Sequence, residues 1–372
     1  MLSMSQETAI SRDDEPIFLF GDGDRLPPEI LLQRLDRYQL LKGLEQDNFS
    51  SGGTVQVLEE KMASILGKES AIFMPTGTLA NHLALRHLCF GQERVIVPEQ
   101  SHIYNDTGDS LEKLSGIKLI PLGKNKPIFS LREVRNAVTI SRNGRVGNPI
   151  GALVIESPVR RQLGKVMPYT EMTAITNYCR RQNIASHLDG ARIFMMSVAT
   201  GIPVPSYAAL FDTVYVSLYK YLNAPSGAIL AGPSNLISKM VDTRRMFGGA
   251  LWGAYLFAAL AIAELDEFEE KFAEAFRKFK ELIISINELE HIQISSIENG
   301  SNIFQMDISE RIEHQQFYGA LARKGIHIGI RNSNSNLQTV TVNTSILRRS
   351  NKQILKEFSD AIDSSIVRKT ML

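Results

Sequence analysis

The sequence predicts an α/β protein in two parts: a mostly parallel sheet covered by helices on both faces and, after it, a smaller α+β domain. Three observations carry this. From about Gly67 onward, short apolar runs alternate with helical patterns, as parallel strands joined by crossover helices require. After Phe268 that rhythm stops. A chain of 372 residues, 44% hydrophobic and 22% charged, also buries enough surface for two ordinary domains with no metal or disulfide to staple them.

Taken in order, FLFGDGDRLPPE is rich in turn residues and opens no repeat, so residues 1–45 are expected to form an N-terminal arm. A large domain follows over 46–265. In it SAIFM (70–74) is a strand leading to a helix that opens at Gly77, and RVIVP (94–98) and GIKLIPL (116–122) are further strands. IGALVIES (150–157) precedes a helix near 169–182, and IASHLDG (184–190) precedes one from Ala191. TVYVSLYK (213–220) and SGAILAG (226–232) complete the sheet. The boundary with the small domain, 266–372, falls near a long charged helix at about 264–289. Beyond it come the strand NIFQMDI (302–308), a helix at 310–324, the strands HIGIR and QTVTVNT, and a closing helix at 350–367.

Composition removes several function classes. Lys and Arg number 41 against 40 Asp and Glu, so a net charge of +1 offers no basic excess for nucleic acid or for a membrane surface. The start, MLSMSQETAISRDDEP, lacks the basic-then-apolar order of a secretory signal. The longest uncharged run, Gly248 to Ala263, carries three glycines and falls short of the roughly 20 residues that span a bilayer, so it reads as a core or interface helix. Cys89 and Cys179 lack paired spacing, which suits a reducing, cytoplasmic setting, and no cluster has metal-ligand spacing.

In an open parallel sheet ligands bind at the carboxyl ends of the strands, and three groups fall there. Pro75-Thr76-Gly77-Thr78-Leu79-Ala80-Asn81 joins a strand to a helix; small residues there free backbone N–H groups for a phosphate, although an ordinary capped turn looks the same. In His187-Leu188-Asp189-Gly190-Ala191-Arg192, Asp189 closes an apolar strand and needs a cationic or hydrogen-bonding partner. Arg192 is the obvious local one; a buried carboxylate holding a heteroaromatic nitrogen protonated is the functional alternative. His187, on the same strand face, is equally a supporting residue or plain core. In Ser217-Leu218-Tyr219-Lys220, the lysine ends a strand, where it is either solvated or an amine suited to imine chemistry. His82 and Arg86, four apart on a helix, read as a solvated or interface face, and His87, His291, His314 and His327 as surface residues.

The order of these groups is more telling than any one of them. A phosphate-type turn, then His102 after a strand, then Asp189, then Lys220 31 residues on resembles the fold-type I pyridoxal-phosphate enzymes. More narrowly, GGTVQVLEEKMASILGKESAIFMPTGTLAN, HLDGARIF, SLYKYLNAPSGAIL and RRMFGG resemble the threonine aldolase/β-eliminating lyase family. The resemblance implies the aspartate aminotransferase-like fold and pyridoxal 5'-phosphate as cofactor. It implies that Lys220 holds the cofactor through its amine, that Asp189 pairs with the ring nitrogen, and that Gly77, Thr78 and Ser217 surround the phosphate. His102 would stack on the ring and serve as base, and Arg192 would line the substrate side. The activity implied is Cα–Cβ cleavage or formation on a β-hydroxy amino acid. β-Elimination, a carbon–carbon bond-forming synthase and a non-catalytic pyridoxal-phosphate-binding protein are the alternatives on the same scaffold.

The sequence also departs from the family. Gly21 or Asp22 stands where a carboxylate-touching serine is usual, and Phe49 replaces a tyrosine on the loop that faces a partner subunit. Trp252 occupies the place of an arginine, Tyr221 that of a glycine after the lysine, and Gln338 that of a C-terminal arginine clamp, for which Arg331 is a substitute. Cofactor residues kept and substrate residues changed imply an altered amino acid or amine substrate. A homodimer or homotetramer completes the expectation.

Overall fold

The computed structural model describes residues 15–24, 26–89, 91–329 and 338–367. They form two compact units. The large unit is 26–269 with 297–301; the small unit takes the described residues of 15–24, 270–296 and 302–367.

Along the chain, β1 (Ile17–Leu19) precedes α1 (Pro28–Lys42) and α2 (Gly53–Leu66). The sheet-and-helix alternation then runs β2 (Ser70–Met74), α3 (Gly77–Leu88), β3 (Arg94–Pro98), α4 (His102–Asn105), α5 (Ser110–Ser115), β4 (Lys118–Leu122), α6 (Leu131–Arg142) and β5 (Ala152–Glu156). It continues through α7 (Tyr169–Arg181), β6 (Ala185–Asp189), α8 (Ile193–Thr200), α9 (Val204–Ala208), β7 (Thr213–Ser217), β8 (Ala228–Gly232) and α10 (Ser234–Met246). After α11 (Tyr255–Ile286) come β9 (Ile292–Ser296), β10 (Ile303–Ile308), α12 (His314–Arg323), β11 (Ile326–Ile328), β12 (Thr339–Thr341) and α13 (Asn351–Ser365).

The large unit is built on a seven-stranded sheet in the order β2-β8-β7-β6-β5-β3-β4, in which only β8 runs antiparallel to its neighbours. This is the α/β, mostly parallel architecture that the alternation predicts. β5 and β7 are buried at every position, as strands covered on both faces must be. In the small unit β12, β10 and β9 form an antiparallel sheet, and β1 pairs in parallel with β11.

Three features differ from the sequence expectation. The stretch read as an arm divides between the two units. Its residues 17–19 are paired in a sheet, and residues 28–42 form a full helix, with Pro28 at the first helical position where no backbone N–H is missed. Residues 255–263 of the apolar run and 264–286 of the charged stretch share one helix, α11; its early positions Ala258, Ala259 and Ala261 are fully buried, so composition changes along it while the backbone does not. His82 is 3% exposed and bonds Ser115 Oγ at 2.8 Å, so it belongs to the interior and not to a solvated face.

The β2 edge of the sheet is closed by side chains, which removes a pairing hazard. Glu59 Oε1 accepts the N–H of Phe73 (2.7 Å), and Arg244 Nη1 donates to the Phe73 carbonyl (2.7 Å). Arg244 is 1% exposed and reaches Ser51 Oγ at 3.2 Å, so one guanidinium ties the edge to the loop before α2. Burial pushes the Glu59 carboxyl up to about 7, while Arg244 nearby draws it down. Arg244→Met leaves the Phe73 carbonyl without this donor and Glu59 without its cation; the expected cost is about 3 kcal/mol, read as a lowered urea midpoint at unchanged slope.

Candidate active site

At the carboxyl ends of the strands of the large unit lies a cavity of about 490 Å³. Its walls bring together Gly77, Thr78, His102, Asp189, Arg192 and Lys220, residues from four separate stretches that the sequence singles out. Ser217 does not line it: the side chain is fully buried three residues before Lys220. Arg331 lies outside the described residues. Gln338 and the Gly21–Asp22 pair belong to the small unit, where the Gln338 amide donates to the Gly329 carbonyl at 2.8 Å.

Asp189 is the last residue of β6 and 3% exposed. A carboxylate so placed must be given donors. Asn81, one turn into α3, donates from Nδ2 to Oδ2 at 2.8 Å, and the Ala191 N–H reaches Oδ1 at 3.3 Å. Because an ionised carboxylate only accepts, the Asn81 amide must face it with its NH2, which leaves Asn81 Oδ1 to accept from His187 Nε2 at 2.8 Å. His187 Nδ1 then accepts from Thr213 Oγ1 at 2.8 Å, at the start of β7. Full burial lowers the His187 pKa to about 4, so the ring is neutral, as this tautomer requires. His187 therefore supports Asp189 through Asn81.

Thr76 caps α3, its side chain accepting from the Leu79 N–H at 3.1 Å. At Gly77 a Cβ would collide with the Tyr215 hydroxyl, so only glycine admits the phenol beside the helix start. Burial, and then the charge of Asp189, holds the Tyr215 hydroxyl protonated well above the ordinary range. His102 opens α4 directly after the Ser101 cap. Lys220 is half-buried, with Nζ 5.8 Å from the Tyr219 ring centre.

Sequence reasoning missed several lining residues, Glu156, Arg160 and Arg161 among them. Glu156 ends β5 in register with Asp189 and is 5% exposed. Arg160 and Arg161 follow it, and Arg161 grips both oxygens of Asp106 at the wall, drawing that carboxyl below its usual range. Glu156 closes the run ALVIE as Asp189 closes its own strand, a local signal that does not show the register between the two. Among the described residues no His, Cys, Asp or Glu cluster is arranged to hold a metal.

The His187 pKa sets a sign for acid stability. Its unfolded value near 6.5 exceeds the folded value of about 4, so the unfolded chain takes up the proton first and stability is lost as pH falls from 6.5 to 4. In His187→Gln that loss is absent. The stability gap between wild type and variant should narrow across this interval by up to about 3 kcal/mol, read from urea unfolding at several pH values.

The chain is similar to several known proteins. The family model described as beta-eliminating lyase matches residues 42–309. A low-specificity L-threonine aldolase of Candida albicans is 32% identical over 212 residues; the match spans 56% of this chain and 56% of that protein. Among solved structures, a Listeria monocytogenes EGD-E protein provisionally assigned as an L-allo-threonine aldolase superposes with a TM-score of 0.77 at 26% identity, over 94% of this chain and 97% of that one. A structure of SPT with a PLP internal aldimine shares the fold alone, at 14% identity and a TM-score of 0.67, over 93% of this chain and 87% of that one. With the mostly parallel sheet these place the fold among the fold-type I pyridoxal-phosphate enzymes. A model matched over most of the sequence is decisive: the chain belongs to the beta-eliminating lyase family.

Proposed function

We propose that this chain is a pyridoxal-phosphate-dependent aldolase that cleaves, or forms, the Cα–Cβ bond of a β-hydroxy amino acid. The observation that carries the reading is the convergence in one cavity of an amine (Lys220), a buried and donor-fixed carboxylate (Asp189) and an open helix start (Gly77, Thr78). These residues fit the cofactor. Lys220 supplies the amine for its aldehyde, Asp189 the counter-charge for a protonated ring nitrogen, and the α3 amides a seat for its phosphate. The tight approach of Tyr215 to Gly77 keeps side chains out of that seat.

When bound, pyridoxal phosphate supplies a sink for the electrons of a bond broken at Cα. The residues supply the rest. Arg192, 9% exposed, binds the substrate carboxylate, and Arg160 on the same wall is a second guanidinium within the cavity. His102, on the cavity wall, would face the bound cofactor and take the proton of the β-hydroxyl, directly or through a water it orients. β-Elimination remains the second reading, because the family name describes it and the same amine and carboxylate serve it.

The exposed face of the large unit suits a second copy of this chain. Leu32, Leu40 and Leu41 of α1 are 66, 77 and 69% exposed, and Trp252 is 70% exposed with its ring against Phe49. Exposed apolar side chains that gather into a patch are a marker of association, and a homodimer or homotetramer is the proposed assembly. Among the described residues no helix is long and apolar enough to cross a membrane, and the setting proposed is cytoplasmic. Leu40→Glu with Leu41→Glu is expected to lower the mass measured by light scattering to that of a smaller species; an unchanged mass removes α1 from the interface.

The decisive experiment joins spectrum and products. Purified protein with pyridoxal phosphate should show a visible band that borohydride removes, and Lys220→Ala should lack it. Incubated with L-threonine and related β-hydroxy amino acids, the wild type should release glycine and an aldehyde. A keto acid with ammonia establishes the elimination reading instead, and no band in the wild type overturns both.

A further inference from the structure

Glu156 stands outside every role assigned so far, yet both of its oxygens are hydrogen-bonded inside the cavity wall. It closes β5, pairs in register with Asp189 on β6, and is 5% exposed. Its two oxygens go to two different loops. Oε2 accepts the backbone N–H of His102 at 2.6 Å, and Oε1 accepts the backbone N–H of Arg160 at 3.3 Å. Those loops leave β3 and β5, and both line the cavity. α4 is only four residues long, too short to hold its own direction, so the bond from its first residue to Glu156 acts with the Ser101 cap and the Asn105 side chain to fix where His102 starts.

We propose, resting on the aldolase reading of the cavity, that Glu156 is a positioning residue. One buried carboxylate, bonded to the amides of His102 and Arg160, sets the placement of a ring-facing base and of a substrate-side guanidinium together. An ionised carboxylate is the acceptor that can serve both N–H groups; protonation turns one oxygen into a donor and releases one loop. Asp189 and Arg192 at the end of β6, Arg161 in the turn after β5, His102 and Asp106 in the loop after β3, and Tyr215 on β7 are the titratable and charged groups around it. Burial, and then the charge of Asp189, push the Glu156 carboxyl up to about 7.

The test uses full-length protein labelled with 15N-histidine, with and without pyridoxal phosphate. The backbone amide of His102, identified by its loss in His102→Asn, should move downfield as pH rises through about 7 in the wild type. In Glu156→Gln that titration should vanish. The variant should keep the borohydride-sensitive band but lose about tenfold or more in kcat with little change in KM, together with the limb of the pH–rate profile near 7. An amide that does not titrate between pH 5 and 9, or a Glu156→Gln enzyme with wild-type kcat and profile, overturns the proposal. If Glu156→Gln does not fold, the wild-type titration decides alone. Since the amide is observed without cofactor, failure of the cofactor reading shows separately, as a missing band in the wild type.

Discussion

The constraint on which the site depends is the burial of Asp189 at the end of a parallel strand. Taking a carboxylate out of water costs several kcal/mol unless donors replace the lost solvent. Here they come from α3, through Asn81, and from the chain just after β6, through the Ala191 N–H. Asn81 is itself held by His187 on β6, and His187 by Thr213 on β7. One chain of hydrogen bonds thus ties together α3, β6 and β7, the elements that carry the helix start with Gly77, the carboxylate, and the approach to Lys220. Satisfying one buried charge fixes the relative position of three parts of the cavity before any ligand arrives, which is the kind of preorganisation catalysis draws on.

Topology adds a second constraint. The antiparallel β8 lies between β2 and β7, so the helix that follows β2 starts close to the strand that leads to Lys220. The cost is crowding. Tyr215, from β7, packs where a side chain at residue 77 would otherwise stand, and its hydroxyl is forced to remain protonated there. Glycine at 77 therefore has a steric reason that is independent of any phosphate.

How much could be read beforehand follows from the range of each interaction. Strand ends and helix starts are local patterns, so SAIFM, RVIVP, Asp189 and the turn at Gly77 were legible, and β2 and β3 have the expected bounds. The one-helix continuity of α11 was not, because its apolar beginning and charged end look like two segments when each stretch is judged by composition. Glu156 was missed for a different reason. A glutamate at a strand end is ordinary until a neighbouring strand places Asp189 in register with it, and register is a tertiary fact. The pairing of Arg161 with Asp106, 55 residues apart, is of the same kind.

Two carboxyl groups side by side at the ends of β5 and β6 also explain why they come to differ. Asp189 receives a side-chain amide that is locked in orientation by a neutral histidine, so its acceptor bonds are fixed from outside. Glu156 receives only backbone amides of two loops and sits beside the Asp189 charge, which adds to burial in pushing its carboxyl up to about 7. The side-chain donor suits a carboxylate held in one orientation, and the two backbone donors suit one that ties loops together. Two identical functional groups on adjacent strands are thereby driven to separate tasks by the polarity of what each strand faces. The division needs no residue beyond those that fold the sheet.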